Sequence, residues 1–230
     1  MDILALETTE RTGSLALASS GKVRESRDLP PHQRSAQSIA PAIAQLLADI
    51  DCPPTQVDLI AVTIGPGSFT GLRVGVATAR ALAYATGAEV LGVDTHEAIA
   101  AGPDILGQIP AGAKFWVAID AQRGDAVVRP FQVDPDGWPR PTADATMLPL
   151  AEWLARLPMG TQVTGPVFRK SSHVIPPHVH LMPPETRRAT AWAVARLAIR
   201  DHAAGRRDDL WSLAPRYSRR SAAEEKRDGV

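Results

Sequence analysis

Cysteine is nearly missing from this chain: Cys52 is the only one among 230 residues. That excludes an intramolecular disulfide and a zinc site built on several thiolates, and it suits a reducing compartment. Aromatic residues make up only 5%. The tryptophans are scattered, so no aromatic row offers a platform for stacked bases. Formal net charge is zero, which argues against nucleic-acid binding by bulk electrostatics. No apolar run approaches ~18 residues, and MDILALETT carries no basic leader before its first apolar stretch. The expectation is a cytoplasmic protein without a membrane span.

What charge there is lies unevenly. Residues 187–230 carry a net +5 and the preceding residues a net −5. A solvated helix face accounts for such a segment, and an acidic partner or RNA remains open.

Apolar and turn-forming residues alternate in an α/β pattern. Ile3–Leu6 and Ser14–Ala18 read as a hairpin around the Thr-rich loop Glu7–Gly13, with a third strand near Val23–Arg27. Ile39, Ile43, Leu46, Leu47 and Ile50 recur at helical spacing and predict a helix over Ser35–Asp49. Asp58–Ile64 reads as a buried strand, followed by a glycine loop and a helix ending at Gly87. Glu89–Val93 is a further strand, with Asp94-Thr95 capping a helix through Ala101. The Gly/Pro-rich stretch Gly102–Gly112 predicts a lobe boundary, dividing the chain into residues 1–105 and 106–230. Beyond it KFWVAID repeats the opening motif, an apolar strand ending in a carboxylate. Strands near Ala126–Val133 and Thr161–Thr164, helices near Leu150–Leu157 and Arg187–Ala204, and a polar tail complete the reading.

The loop Gly65-Pro66-Gly67-Ser68 invites a phosphate-binding interpretation. It is not a Walker A loop: five residues separate Gly65 from Gly71 where that loop has four, and Leu72-Arg73 replaces the lysine and its hydroxyl neighbour. A dinucleotide site stays open, with Asp94 placed as a ribose-binding acid, although Pro66 stiffens the turn. Ser68 lacks the second glycine of a nucleophile elbow. Along the helix Gly71, Gly75, Ala79 and Ala83 form a smooth stripe at four-residue spacing. Glycine inside a helix costs about 1 kcal/mol against alanine, so the stripe implies close approach by the protein's own sheet or by a second chain. His173, His178 and His180 lie close together, without a neighbouring Cys or carboxylate to complete a metal set.

The segments ILALETT, IAVTIGPGSFTGLRVGVATARALA, VLGVDTHEAIA, IDAQRGD and PRYSRRSAAE occur in order. Together they resemble the TsaB/YeaZ family, the dimerisation subunit of the bacterial tRNA threonylcarbamoyladenosine machinery. The resemblance is strong over roughly Met1–Ala101 and sparse beyond. It implies an actin-like fold, shared with sugar kinases and heat-shock ATPases, with two lobes of which the second is degenerate. In that fold the loop Glu7–Gly13 would face nucleotide phosphates, which makes Glu7, Thr8, Thr9, Gly65, Gly67 and Ser68 candidate cofactor contacts. Glu7 stands where the family usually has aspartate, which weakens a magnesium–ATP role.

The family's catalytic relative carries a His-x-x-x-His metal pair; laid over this chain, its positions are Thr95 and Ile99, with His96 between them. No metal site and no catalytic residues are therefore expected. The resemblance implies a non-catalytic subunit that pairs with the catalytic paralogue through its two N-terminal helices. The expected interface residues are Gly71, Arg73, Gly75, Ala79, Arg80, Ile39 and Ile43. It further implies an ATPase component in the same complex, indirect contact with tRNA, a homodimer when the chain is alone, and at most a residual nucleotide at the subunit interface. IDAQRGD would hold a structural ion pair of Asp120 and Arg123 at the lobe junction, and Tyr217 would dock the tail. Two other classes stay open: a small nucleotide- or dinucleotide-dependent enzyme using the glycine loop, and a peptidase acting on its partner through Ser68.

Overall fold

The structure is a computed structural model that describes residues 1–10, 12–30 and 35–219. The end of the PRYSRRSAAE segment and the last part of the basic region lie outside the described residues.

The first sheet is built from β1 (Asp2–Glu7), β2 (Ser14–Ser19), β3 (Lys22–Asp28), β4 (Leu59–Gly65) and β5 (Glu89–Asp94) in the order β3-β2-β1-β4-β5. The meander β1-β2-β3 is antiparallel, and β4 and β5 join parallel to β1. Every residue of β4 is buried, as a strand covered on both faces requires. At the edge, β3 alternates half-buried and exposed positions and carries the charges of KVRESRD, which blunts that edge against further pairing.

Helices α1 (Ser35–Ala48) and α2 (Phe69–Thr86) pack on one face of this sheet. Ser68 caps α2, its hydroxyl accepting from the Gly71 N–H at 3.2 Å, and Gly87 ends it in the left-handed region at φ 78°. On the other face lie α3 (Thr95–Ala100) and, from the far end of the chain, α6 (Ala191–Ala203).

The second lobe repeats the plan. Strands β6 (Lys114–Asp120) and β7 (Asp125–Val133) form the antiparallel pair, β8 (Pro139–Pro141) and β9 (Thr146–Pro149) both join β7, and β10 (Thr161–Thr164) and β11 (Val179–Leu181) add parallel to β6. Helices α4 (Leu150–Ala155) and α5 (Phe168–Ser171) cover its outer face. The repeat foreseen in KFWVAID is thus a repeat of topology.

The final helix α6 (Ala191–Ala203) lies between the sheets. It starts later than Arg187 because residues 184–187 form a 3-10 turn and Thr190 supplies the cap, accepting from the Ala193 N–H. Ala191, Ala193, Ala195 and Ala198 are fully buried; side chains this small let one helix touch two sheets at once. The boundary expected at residue 105 therefore needs correction. The second lobe closes before α6, and α6 with the segment after it returns to the first lobe. Asp208 accepts from the Gly92 N–H at 2.7 Å, Leu213 enters the core beneath α2, and the Arg216 N–H donates to the Ile64 carbonyl at 2.6 Å.

Candidate functional site

Each lobe carries a Gly-Pro pair at the end of a parallel strand: Gly65-Pro66 closes β4, and Gly165-Pro166 follows β10. Both glycines have a φ that side chains disfavour, 122° and 124°. Both are also pressed against backbone, since an added Cβ would lie 2.2 Å from the Arg216 carbonyl oxygen and 2.1 Å from that of Ala118. Both prolines line a cleft of about 620 Å³ between the lobes. Thr9, Glu10, Gly67 and Ser68 line it from one side, and Asp120, Gln122, Arg169 and Lys170 from the other. Arg169 pairs with Glu10 across the gap.

The candidate cofactor residues separate here. Thr9, Gly67 and Ser68 line the cleft, and the Ser68 N–H donates to the Thr9 carbonyl. Thr8 lies fully buried beneath α2, and Gly65 turns toward Arg216. Glu7 is fully buried at the end of β1. One carboxyl oxygen accepts from the Thr9 N–H at 2.6 Å and from the Thr9 hydroxyl; among the described residues Oε2 has no side-chain partner. Burial pushes the Glu7 pKa up to about 8, the charge of Glu10 adds to this, and the bonds from Thr9 oppose it. Glu7 is thus enclosed within the first lobe and is not among the residues that line the cleft. Glu7, Thr8 and Gly65 are thus corrected from cleft contacts to structural supports.

Neither catalytic alternative gains from this geometry. The Ser68 hydroxyl is engaged as a helix cap, and none of the described residues lining the cleft is a histidine. Asp94 is the N-cap of α3, accepting from the His96 and Glu97 N–H groups, rather than a free ribose acceptor.

Asp94 instead opens a buried polar network between the lobes. His96 is fully buried, its Nε2 3.1 Å from the Val127 carbonyl of β7 and its Nδ1 3.3 Å from the Asp94 carboxylate. Arg129 of β7 reaches both Asp94 and Glu97, and Arg200 of α6 reaches Glu97. Burial works to raise the Asp94 pKa, but the bond and charge of His96, with the charge of Arg129, hold it below the ordinary value. Thr95 and Ile99, aligned with the metal pair of the catalytic relative, are buried in this same junction. Arg129 carries no local motif, so only the strand pairing that brings it to α3 shows its role. Asp120 accepts from the Gln122 N–H within its own turn.

The interface residues expected on α1 and α2 also divide. An added Cβ at Gly71 would lie 1.9 Å from the Thr8 carbonyl oxygen, and at Gly75 2.2 Å from Thr8 Oγ1. Ala79 and Ala83 are buried in the same core layer. The small-residue stripe therefore serves the protein's own sheet, and the expectation that Gly71, Gly75 and Ala79 meet a partner is corrected. Ile39 and Ile43 are likewise nearly buried. Arg73 is exposed and Arg80 half-buried, on the outward side.

Between α1 and α2 an apolar furrow of about 160 Å³ opens to solvent. Ile43 and Leu47 of α1 and Thr78 and Leu82 of α2 form its walls, and Leu4 and Ile60 of the sheet reach its floor. Ala40 and Ala44 stand exposed at its α1 rim.

Comparison with known proteins places this arrangement. A family profile described as "TsaD: tRNA N6-adenosine threonylcarbamoyltransferase" matches residues 31–134. The tRNA threonylcarbamoyladenosine biosynthesis protein TsaB of Escherichia coli (strain K12) is 31% identical over 150 residues, covering 65% of this chain and 63% of that protein. TsaB of Bacillus subtilis (strain 168) is 30% identical over 158 residues, covering 68% of this chain and 66% of that protein.

The chain resembles TsaB.

The likeness extends to the fold over most of the chain. YeaZ from Pseudomonas aeruginosa superposes with a TM-score of 0.78 at 24% identity, covering 94% of this chain and 99% of that one. The fold is accordingly actin-like, two α/β lobes of related topology. The sequence match spans just under two thirds of the length of these TsaB relatives. Among the described residues, no helix is long and apolar enough to cross a membrane.

Proposed function

We propose that this TsaB-like chain is a non-catalytic subunit that pairs with the catalytic threonylcarbamoyltransferase and supports threonylcarbamoyladenosine modification of tRNA beside the anticodon. The observation that carries the pairing is the furrow between α1 and α2. It is apolar down to the sheet, open to solvent, and walled by two helices that a partner helix can pack between. The enclosure of Glu7 at the end of β1, away from the cleft lining, supports the non-catalytic part.

On this reading the chain holds no cofactor of its own, and a residual nucleotide would belong to the interface with the partner. The ATPase component supplies energy elsewhere in the complex, tRNA is met through the catalytic subunit, and the furrow is covered by a second copy when the paralogue is absent.

Reconstitution tests this reading. The catalytic subunit and its companion enzymes are incubated with tRNA, with and without this chain. Modification that needs the chain supports the proposal, and equal modification in its absence refutes it.

A further inference from the structure

The cleft between the lobes carries an anion of its own. Glu10 lies in the loop between β1 and β2, and Arg169 lies in α5, shortly after Gly165-Pro166 of the second lobe. Arg169 Nη1 is 2.5 Å from Glu10 Oε2, an ion pair that spans the two lobes. Although Glu10 lines the cleft, its side chain is only 9% exposed.

Both partners are fixed. Arg169 Nη2 donates to the Arg187 carbonyl at 3.0 Å, and the Ala189 N–H donates to the Glu10 carboxylate. Burial works against a charge on Glu10; the charge and bond of Arg169, the Ala189 bond and the Arg188 charge work for it. Arg188 is itself paired with Asp28 of β3 at 2.9 Å, which ties the segment holding Glu10 to the first lobe.

Lys170 also lines the cleft and makes no ion pair among the described residues. The charged residues on the cleft walls are Glu10 and Asp120 against Arg169 and Lys170, so the walls carry no net charge. Without Glu10 they would be left with one positive charge in excess, beside a guanidinium already oriented by Arg187. A guanidinium binds a carboxylate or a phosphate with the same fork of N–H groups.

We infer that Glu10 stands in for a ligand oxyanion: its carboxylate occupies Arg169 and keeps phosphate compounds out of the cleft, an autoinhibitory contact built into the chain. Any free phosphate must displace a carboxylate that is tethered beside the arginine and therefore competes at high effective concentration. The inference goes beyond the pairing proposed above and does not depend on it, since both residues belong to this chain.

The test is calorimetric titration of inorganic pyrophosphate into the full chain and into Glu10→Ala, Glu10→Gln and the double variant Glu10→Ala with Arg169→Ala. The expected result is no saturable binding by wild type and a gain of about tenfold or more in affinity in each single variant. The double variant should lose that gain. Pyrophosphate should also raise the thermal midpoint of Glu10→Ala and leave that of wild type unmoved, because it stabilises only a folded chain that binds it. Glu10→Gln keeps the shape and a hydrogen bond to Arg169, so it carries the test if Glu10→Ala fails to fold. Wild type that binds pyrophosphate as tightly as the single variants overturns the inference, as does a folded Glu10 variant that gains nothing. A gain that survives in the double variant overturns it too, because the anion then sits away from Arg169. Lobes that spread in X-ray scattering of Glu10→Ala, with no pyrophosphate bound, reduce Glu10 to a tie between the lobes and overturn the inference in the same way.

Discussion

Gly75 and Thr8 are in closer contact than any side chain at position 75 would permit: a Cβ built there lies 2.2 Å from Thr8 Oγ1. At Gly71 the contact is with backbone, 1.9 Å from the Thr8 carbonyl oxygen. The helix that carries these glycines is thus pressed onto the end of β1, and its exposed side is the opposite one.

Gly71→Ala should destabilise the chain by about 2–3 kcal/mol, because rigid backbone must yield to overpacking. Gly75→Ala should cost less, since the Thr8 side chain can turn. Urea unfolding measures both. A glycine facing solvent or an absent partner would instead gain up to about 1 kcal/mol from the better helix former, so a stabilised variant would contradict the packing.

Glu7 makes stability fall as pH rises. Its folded pKa of about 8 lies above the unfolded value, so the folded state holds the proton more tightly. The resulting penalty grows from the ordinary carboxylate range up to about pH 8 and is constant above it. Glu7→Gln should flatten this slope and be the more stable protein at pH 9, by an amount on the order of a few kcal/mol. Parallel pH profiles for the two proteins would show Glu7 ionised in the folded state.

The network around Asp94 acts in the other direction. With its folded pKa depressed, Asp94 contributes stability above its ordinary pKa and loses it as pH falls through the depressed value. Arg129→Met should cost about 2–4 kcal/mol at neutral pH by leaving Asp94 and Glu97 without their shared cation. Asp94→Asn keeps a helix-capping oxygen but removes the charge, so it should shift acid unfolding with less loss at neutral pH. Chemical denaturation at pH 4 and pH 7 separates the two effects.

Arg219 pairs with Asp125 of the second lobe, while Arg216 and Leu213 are held by the first. Asp125→Ala should release the far end of this strap and raise amide exchange over residues 213–219 while β1 and β4 stay protected. Unchanged exchange there would show that the strap does not depend on the ion pair.

Much of the fold was legible in local pattern. β6 runs over Lys114–Asp120 and β10 over Thr161–Thr164, as read from their apolar runs, and Gly87 ends α2 where the glycine stop puts it. β8, β9 and β11 were missed because three- or four-residue strands with proline or exposed side chains carry too little alternation. The return of α6 to the first lobe was hidden because alanine suits a surface helix and a helix clamped between two sheets equally well. At the site, the small-residue stripe signalled close approach without saying to what, and Thr8, the residue that decides it, lies more than sixty positions away. Glu7 was recognised as a departure from the family's aspartate, but its protonation follows from enclosure, which one strand's sequence does not reveal.

The central claim is pairing through the α1–α2 face, and Ala44→Glu tests it most directly. Ala44 is exposed at the furrow's rim, so glutamate there should leave the fold intact while placing a charge against an apolar partner surface. The measurement is tRNA threonylcarbamoyladenosine formation by the reconstituted system containing wild type or Ala44→Glu, with unfolding midpoints recorded for both. The account predicts modification with wild type and its loss with the variant at an unchanged midpoint. Full modification with a folded Ala44→Glu chain would contradict it.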